Sequence, residues 1–202
     1  MDRKRAIKQL SVLRKKGIKL RLAADGWNAE WKTLIATLMS ARTTDKKTIP
    51  VAEGLFQRYK NLKALSTTKL SEVEKLIRGV NFYRTKARNI IALSKILVKD
   101  YSSKVPHDFA KLIELPGVGR KTANVFLAEK GHGRIGVDTH VDYISHYLKW
   151  TSGKTQKEVE MDLEKLFPKR YWGRINWILV RFGQTYKSRV EKNKILDGIK
   201  KI

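Results

Sequence analysis

Cysteine is missing from all 202 residues. That removes disulfides, thiolate metal sites and any iron–sulfur cluster held by cysteine. Acidic side chains are scarce: 19 Asp and Glu stand against 44 Lys and Arg, for a formal net charge of +25 and a pI near 10.3. No apolar run is long enough to span a bilayer, and the N-terminal MDRKRAIKQLSVLRKK holds no signal-peptide core. A cytoplasmic protein with no membrane partner is therefore expected. Period-two alternation of apolar and polar residues is also missing, which argues against a sheet. There is no low-complexity tract or short repeat.

What is present suffices for a core. Hydrophobic residues make up 42% of the chain, enough for one large or two small domains without staples. The excess of positive charge points to a polyanionic partner, nucleic acid before an anionic membrane surface.

Helical periodicity runs through the chain. Residues 2–16 form a basic amphipathic stretch with Ile7, Leu10 and Leu13 on one face and Gly17 as its stop. Asn28 is placed to cap a helix with the stripe Trp31, Leu34, Ile35, Leu38 and Met39. The polar segment Ser40 to Asp45 breaks that stripe, and Thr44 or Asp45 can cap a helix toward Tyr59 that Pro50 disturbs. Further helices are expected over residues 71–78, along the Ala87, Ile90, Ile91, Ser94, Leu97 stripe, over 108–114, after Asp138, and over 175–182. Thr155 and Glu158 have the capping-box spacing. The lysine-rich end from Lys187 to Ile202 is thin in core residues. The fold class expected is all-α, with about ten helices.

One stretch, LPGVGRKTANVFLAEKGHGRIGVDTH (Leu115 to His140), organises the rest. Pro116, Gly117 and Gly119 cannot continue a helix, so the pattern is helix, hairpin turn, helix. The glycines uncover backbone N–H groups at a helix start, where the dipole favours an anion, and Arg120 and Lys121 follow. An ordinary inter-helix turn with a solvated basic pair accounts for the glycines equally well; the net charge tips the balance to phosphate.

Five segments in order then resemble the endonuclease III branch of the helix-hairpin-helix (HhH-GPD) DNA glycosylases. They are LMSARTTD, NFYRTKARNI, LPGVGRKTANVFL, GVDTHV and NWILVRFGQTYK, spread over most of residues 28–187. The resemblance implies a six-helix barrel over residues 22–133 ending in the hairpin. Residues 1–21 plus 134–202 would form a second helical domain, with a DNA-reading cleft between the two. It implies a base-excision-repair glycosylase with AP-lyase activity on oxidised pyrimidines, acting as a monomer on double-stranded DNA with a damaged base or abasic site, nucleoid-associated in the cytoplasm.

Residue by residue, it makes Lys121 the nucleophile and Asp138 its carboxylate partner across the cleft. A protonated amine is a poor nucleophile, and neighbouring cations such as Arg120 favour its neutral form. Asp138 would stabilise charge on the sugar or relay the proton, and it is also a natural helix cap. Gly117, Val118, Gly119, Arg120, Arg84 and Lys86 would contact DNA. Arg42 and Phe82 would fill the stack vacated by a flipped nucleotide. Arg42, Ile113 and His140 would line the base pocket, with Ile113 standing where relatives place a glutamate. The carbonyls of Ile113, Leu115 and Val118 would hold a monovalent cation. The family's [4Fe–4S] cluster is expected to be absent, because Lys187, Lys194 and Asp197 stand near its cysteine positions; a lysine-rich helix over 191–201 would replace it by packing or by phosphate contact. Rival readings are a mismatch thymine or uracil glycosylase, an 8-oxoguanine glycosylase on the same fold, and a non-catalytic DNA-binding hairpin module. Lys121 argues against the first, and the coincidence of Lys121, Asp138, Arg42 and Phe82 against the last.

Overall fold

The periodicities above become twelve α-helices in the computed structural model, which describes residues 2–202 and holds no strand among them. The fold is all-α. None of these helices is long and apolar enough to cross a membrane. The chain divides into two compact units: Arg21–Phe126, and the residues up to Leu20 together with Leu127–Ile202.

The unit Arg21–Phe126 is built on two helices. α2 (Glu30–Ser40) buries Trp31, Leu34, Ile35, Leu38 and Met39. The 18-residue α6 (Tyr83–Asp100) buries Ala87, Ile90, Ile91, Leu93 and Leu97, and its buried Ser94 hydroxyl donates to Ile90 O at 2.7 Å. α3 (Asp45–Arg58), with Pro50 inside it, lies against α2. α5 (Leu70–Ile77) and the five-residue α4 (Leu62–Ser66) lie against α6. α4 was not expected: one turn and a half is too short to show a period. Trp27 and Trp31 meet Phe56 edge-on at 4.9 and 5.2 Å, a favoured aromatic geometry. α7 (Phe109–Glu114) and the start of α8 (Arg120–Glu129) complete the unit.

The other unit gathers both chain ends. α11 (Lys169–Thr185) runs through it, with α1 (Arg3–Lys16) and α9 (Thr139–Tyr147) packed on it. α10 (Gln156–Leu166) joins α9, and its Thr155–Glu158 capping box forms with both bonds. α12 (Arg189–Lys200) packs on α1. The core is continuous from Leu10 and Leu13 through Ile144, Leu163, Phe167 and Phe182 to Leu196 and Ile199. The buried Gln9 amide is satisfied at both ends: it donates to Ile199 O at 3.1 Å and accepts from Trp150 Nε1 at 2.8 Å.

One expectation is corrected and one is sharpened. Asn28 does not cap α2; Ala29 holds the cap position, and the Asn28 side chain accepts from Lys32 Nζ at 2.9 Å instead. Gly17 does end α1, but in an extended conformation at φ −77. A Cβ there would lie 3.0 Å from Phe182 N, tighter than ordinary contact, so the helix end presses on the α11 backbone and glycine suits it.

Removing Phe182, which is fully buried, should cost about 3–5 kcal/mol in urea unfolding when it becomes Ala. Val190→Ala, at a site 81% exposed, should change stability by less than about 0.5 kcal/mol. Equal losses from both would contradict this account of the core.

Candidate active site and nucleic-acid interface

The hairpin is fixed by packing as well as by turn chemistry. Asp108 caps α7, accepting from Lys111 N at 2.9 Å, and the chain turns after Leu115, with Val118 N donating to Leu115 O at 3.0 Å. Gly117 has φ +78, and a Cβ on it would stand 2.7 Å from Asn89 Nδ2 and 2.9 Å from Leu38 Cδ1. Both the conformation and the space demand glycine. Gly119 has open space around it, and its carbonyl accepts from Ala123 N at 3.0 Å to open α8. Val118 is buried, so it offers a phosphate its backbone rather than its side chain.

The first turn of α8 holds no acidic residue. Arg120 lies over the Phe109 ring at 4.9 Å. Lys121 is half-buried in that same turn, at the end of the helix where the dipole disfavours a cation. Asp138 caps α9, its Oδ1 accepting from both His140 N and Val141 N at 2.9 Å. One oxygen therefore serves both backbone bonds.

The two loops with Arg42 and Phe82 meet in space. The Arg42 guanidinium lies 4.9 Å over the Phe82 ring, which is 56% exposed. Arg84 is exposed and its Nε donates to Tyr83 Oη at 3.2 Å. Lys86, expected as a DNA contact, is corrected: it is only 6% exposed, and its ammonium donates to Met39 O, Ala41 O and Thr43 Oγ1 at 2.6, 2.7 and 3.2 Å. All three N–H groups are used, leaving none for a phosphate. Ile113 is 44% exposed on α7. His140 packs on Gly183, where a Cβ would fall 2.2 Å from Nδ1. Gly183 stands in the quoted FGQTYK segment, yet nothing in the sequence marks it as the seat of an imidazole.

Residues 35–169 match the HhH-GPD superfamily of base excision DNA repair proteins. The chain belongs to that superfamily. Among relatives, it is 40% identical to endonuclease III of Thermotoga maritima over 76% of this chain and 73% of that one. Endonuclease III of Bacillus subtilis is 38% identical over 76% and 71%. A solved structure of a trapped endonuclease III–DNA covalent intermediate superposes with a TM-score of 0.84 at 33% identity, over 93% of this chain and 89% of that one. A thermostable thymine-DNA glycosylase, at 18% identity and a TM-score of 0.78, shares the fold.

For a superfamily member of this branch the iron–sulfur cluster must be tested against the residues present, and they do not fit it. The chain has no cysteine, and among the described residues no group of three or more His, Asp or Glu is placed to hold a metal. Near the expected positions Asp197 is engaged by Tyr147 Oη at 2.6 Å, which pushes the tyrosine up to about 12. Leu196 and Ile199 are buried beside it.

Gly117→Ala should lower stability by about 1–3 kcal/mol, since strain and overpacking act together. Gly119→Ala should lose less than about 1 kcal/mol. Thermal melts of both variants check the difference, and a milder effect at Gly117 would remove the packing argument.

Proposed function

We infer that this protein is a base-excision-repair DNA glycosylase with AP-lyase activity, that Lys121 is its nucleophile, and that oxidised pyrimidines are its substrates. The observation that carries the reading is Lys121 itself, half-buried in the first turn of the helix that follows the hairpin, with no acidic residue in that turn. Arg120 stands beside it, and the start of α8 adds the positive end of the helix dipole. The trapped covalent intermediate of a relative with 33% identity supports the same chemistry.

Lys121 Nζ attacks C1′ of the flipped nucleotide as the N-glycosidic bond breaks, and the base leaves with the electron pair and takes up a proton. The sugar ring opens to a protonated Schiff base. Loss of a C2′ proton then expels the 3′ phosphate, and water releases the lysine. Asp138 gives one oxygen to its helix, and its remaining charge stabilises the cationic sugar. Gly117, Gly119 and Arg120 grip phosphate at the α8 N-terminus, with the backbone of Val118. A monovalent cation on the carbonyls of Ile113, Leu115 and Val118 belongs to the same reading. Arg42 and Phe82 occupy the emptied stack, and Ile113 and His140 face the base. A non-catalytic module gives no reason for Lys121, Asp138, Arg42 and Phe82 to coincide.

Borohydride treatment with abasic-site DNA should trap a covalent adduct with the wild type and none with Lys121→Ala; an equal adduct from the variant would end the assignment. Asp138→Asn keeps a good helix cap, so its fold and DNA affinity should persist while turnover falls by about 10²–10³-fold. Unchanged turnover would return Asp138 to a purely structural role. A panel of duplexes carrying thymine glycol, uracil, 8-oxoguanine or an abasic site, scored for nicking, should show thymine glycol cut faster than uracil or 8-oxoguanine. Faster cutting of either of those would favour a rival lesion. Affinity should drop steeply with salt, as release of counterions from phosphate requires.

A further inference from the structure

Arg42 and Phe82 stand in strained backbone. Their φ values are +55 and +58, a left-handed region that such residues keep only where the surroundings over-determine it. What holds them starts from a buried cation. Lys86, on the first turn of α6, places its ammonium against the carbonyls of Met39 and Ala41, at the C-terminal end of α2. Unsatisfied carbonyls and the negative end of the dipole meet there, so a cation caps them well. The same ammonium donates to Thr43 Oγ1, which also accepts from Asn81 N at 3.0 Å. The Asn81 side chain then donates to Arg42 O at 2.5 Å. A continuous path therefore runs from Lys86 through Thr43 and Asn81 to the backbone of Arg42. Asn81 is also the residue next to Phe82, so the path fixes both strained positions. On the outside of this path the guanidinium and the phenyl ring are already stacked.

We propose that Lys86 is a positioning residue for base flipping, clamping the Arg42 and Phe82 loops through Thr43 and Asn81 into one preassembled wedge. The proposal rests on the reading that Arg42 and Phe82 enter the stack. Its physical content is preorganisation: loops already held in the inserted shape need not be ordered during extrusion, when the cost would fall on the flipping step. Burial pushes the Lys86 ammonium down to about 8, while three oxygen acceptors favour the charged form that can fill all of them. A neutral side chain of the same length cannot make the clamp.

The test uses the full chain and the duplex of the lesion panel that the wild type cuts fastest, with 2-aminopurine beside the lesion as a reporter of unstacking. Lys86→Met and Asn81→Ala should each slow the fluorescence rise and single-turnover excision by about tenfold or more. On an abasic duplex, with no base to extrude, nicking by the same variants should stay within about threefold of wild type. Lys86→Arg, which keeps the charge at the carbonyls, should recover part of the loss. A loss equal on both duplexes would mean a general structural role, and no loss on either would mean no role; each overturns the proposal. Asn81→Ala breaks the path at an exposed residue, so it decides the matter should Lys86→Met fail to fold. Arg42→Ala with Phe82→Ala tests the underlying reading separately. If that pair slows unstacking and the clamp variants do not, the wedge stands and the clamp falls. If the pair leaves unstacking unchanged, the wedge reading itself falls.

Discussion

The junction of α2 with α6 is the constraint on which the candidate site depends. Near the end of α2, Leu38 packs against the Gly117 backbone, and Asn89 of α6 closes the same spot. One residue further, the Met39 carbonyl takes the Lys86 ammonium. The hairpin turn and the loops with Arg42 and Phe82 are thus seated on neighbouring residues of one helix pair. Lys86 and Asn89 stand three apart on α6, which puts them on one face. A shift of α2 against α6 would move turn and loops together, because a packed interior passes displacement on rather than absorbing it. This explains why α2 is so deeply buried for a helix whose C-terminal end leads to surface chemistry.

Charge works on a different scale. With 19 acids for 44 bases, most cations can have no carboxylate partner. Several guanidinium groups lie over ring faces: Arg42 over Phe82, Arg84 over Tyr83, Arg120 over Phe109. Such contacts favour a guanidinium without neutralising it, so the charge stays available to a polyanion. The compact state carries the self-repulsion, and DNA relieves it. Stability and binding are therefore linked in this chain more tightly than in a protein of balanced charge.

Much of this was legible in sequence, for a physical reason in each case. The stripes of α2 and α6 and the capping box at Thr155 depend on spacing alone, and spacing is what a sequence records. The hairpin turn was legible too, since few residues other than glycine tolerate its geometry. Other features depend on what lies opposite in space. Gly17 ends α1 in an extended conformation open to any residue, and it is the close approach of Phe182 that favours glycine there. Lys86 looked like one more DNA contact among many cations; only its burial under Met39 and Ala41 reveals an inward task. Gly183 carries no local signal, because its reason is the imidazole of His140. For Lys121 and Asp138 the sequence marks the helix starts they occupy, since caps and first turns are local.

The C-terminal helix shows how a chain without cysteine closes its second unit. A metal cluster would tie remote segments by a few strong bonds. Here α12 is tied by many weak ones: Tyr143 Oη donates to Asn193, Tyr147 Oη to Asp197, and Gln9 to Ile199 O, around buried Leu196 and Ile199. Each hydrogen bond contributes about 1 kcal/mol net, so burial of the two aliphatic side chains dominates the closure. The consequence is a tail whose attachment depends on packing at α1 and α9. It is indifferent to the oxidation that would dissolve a thiolate site, and its lysines stay outside the core, where they add to the field that draws in phosphate.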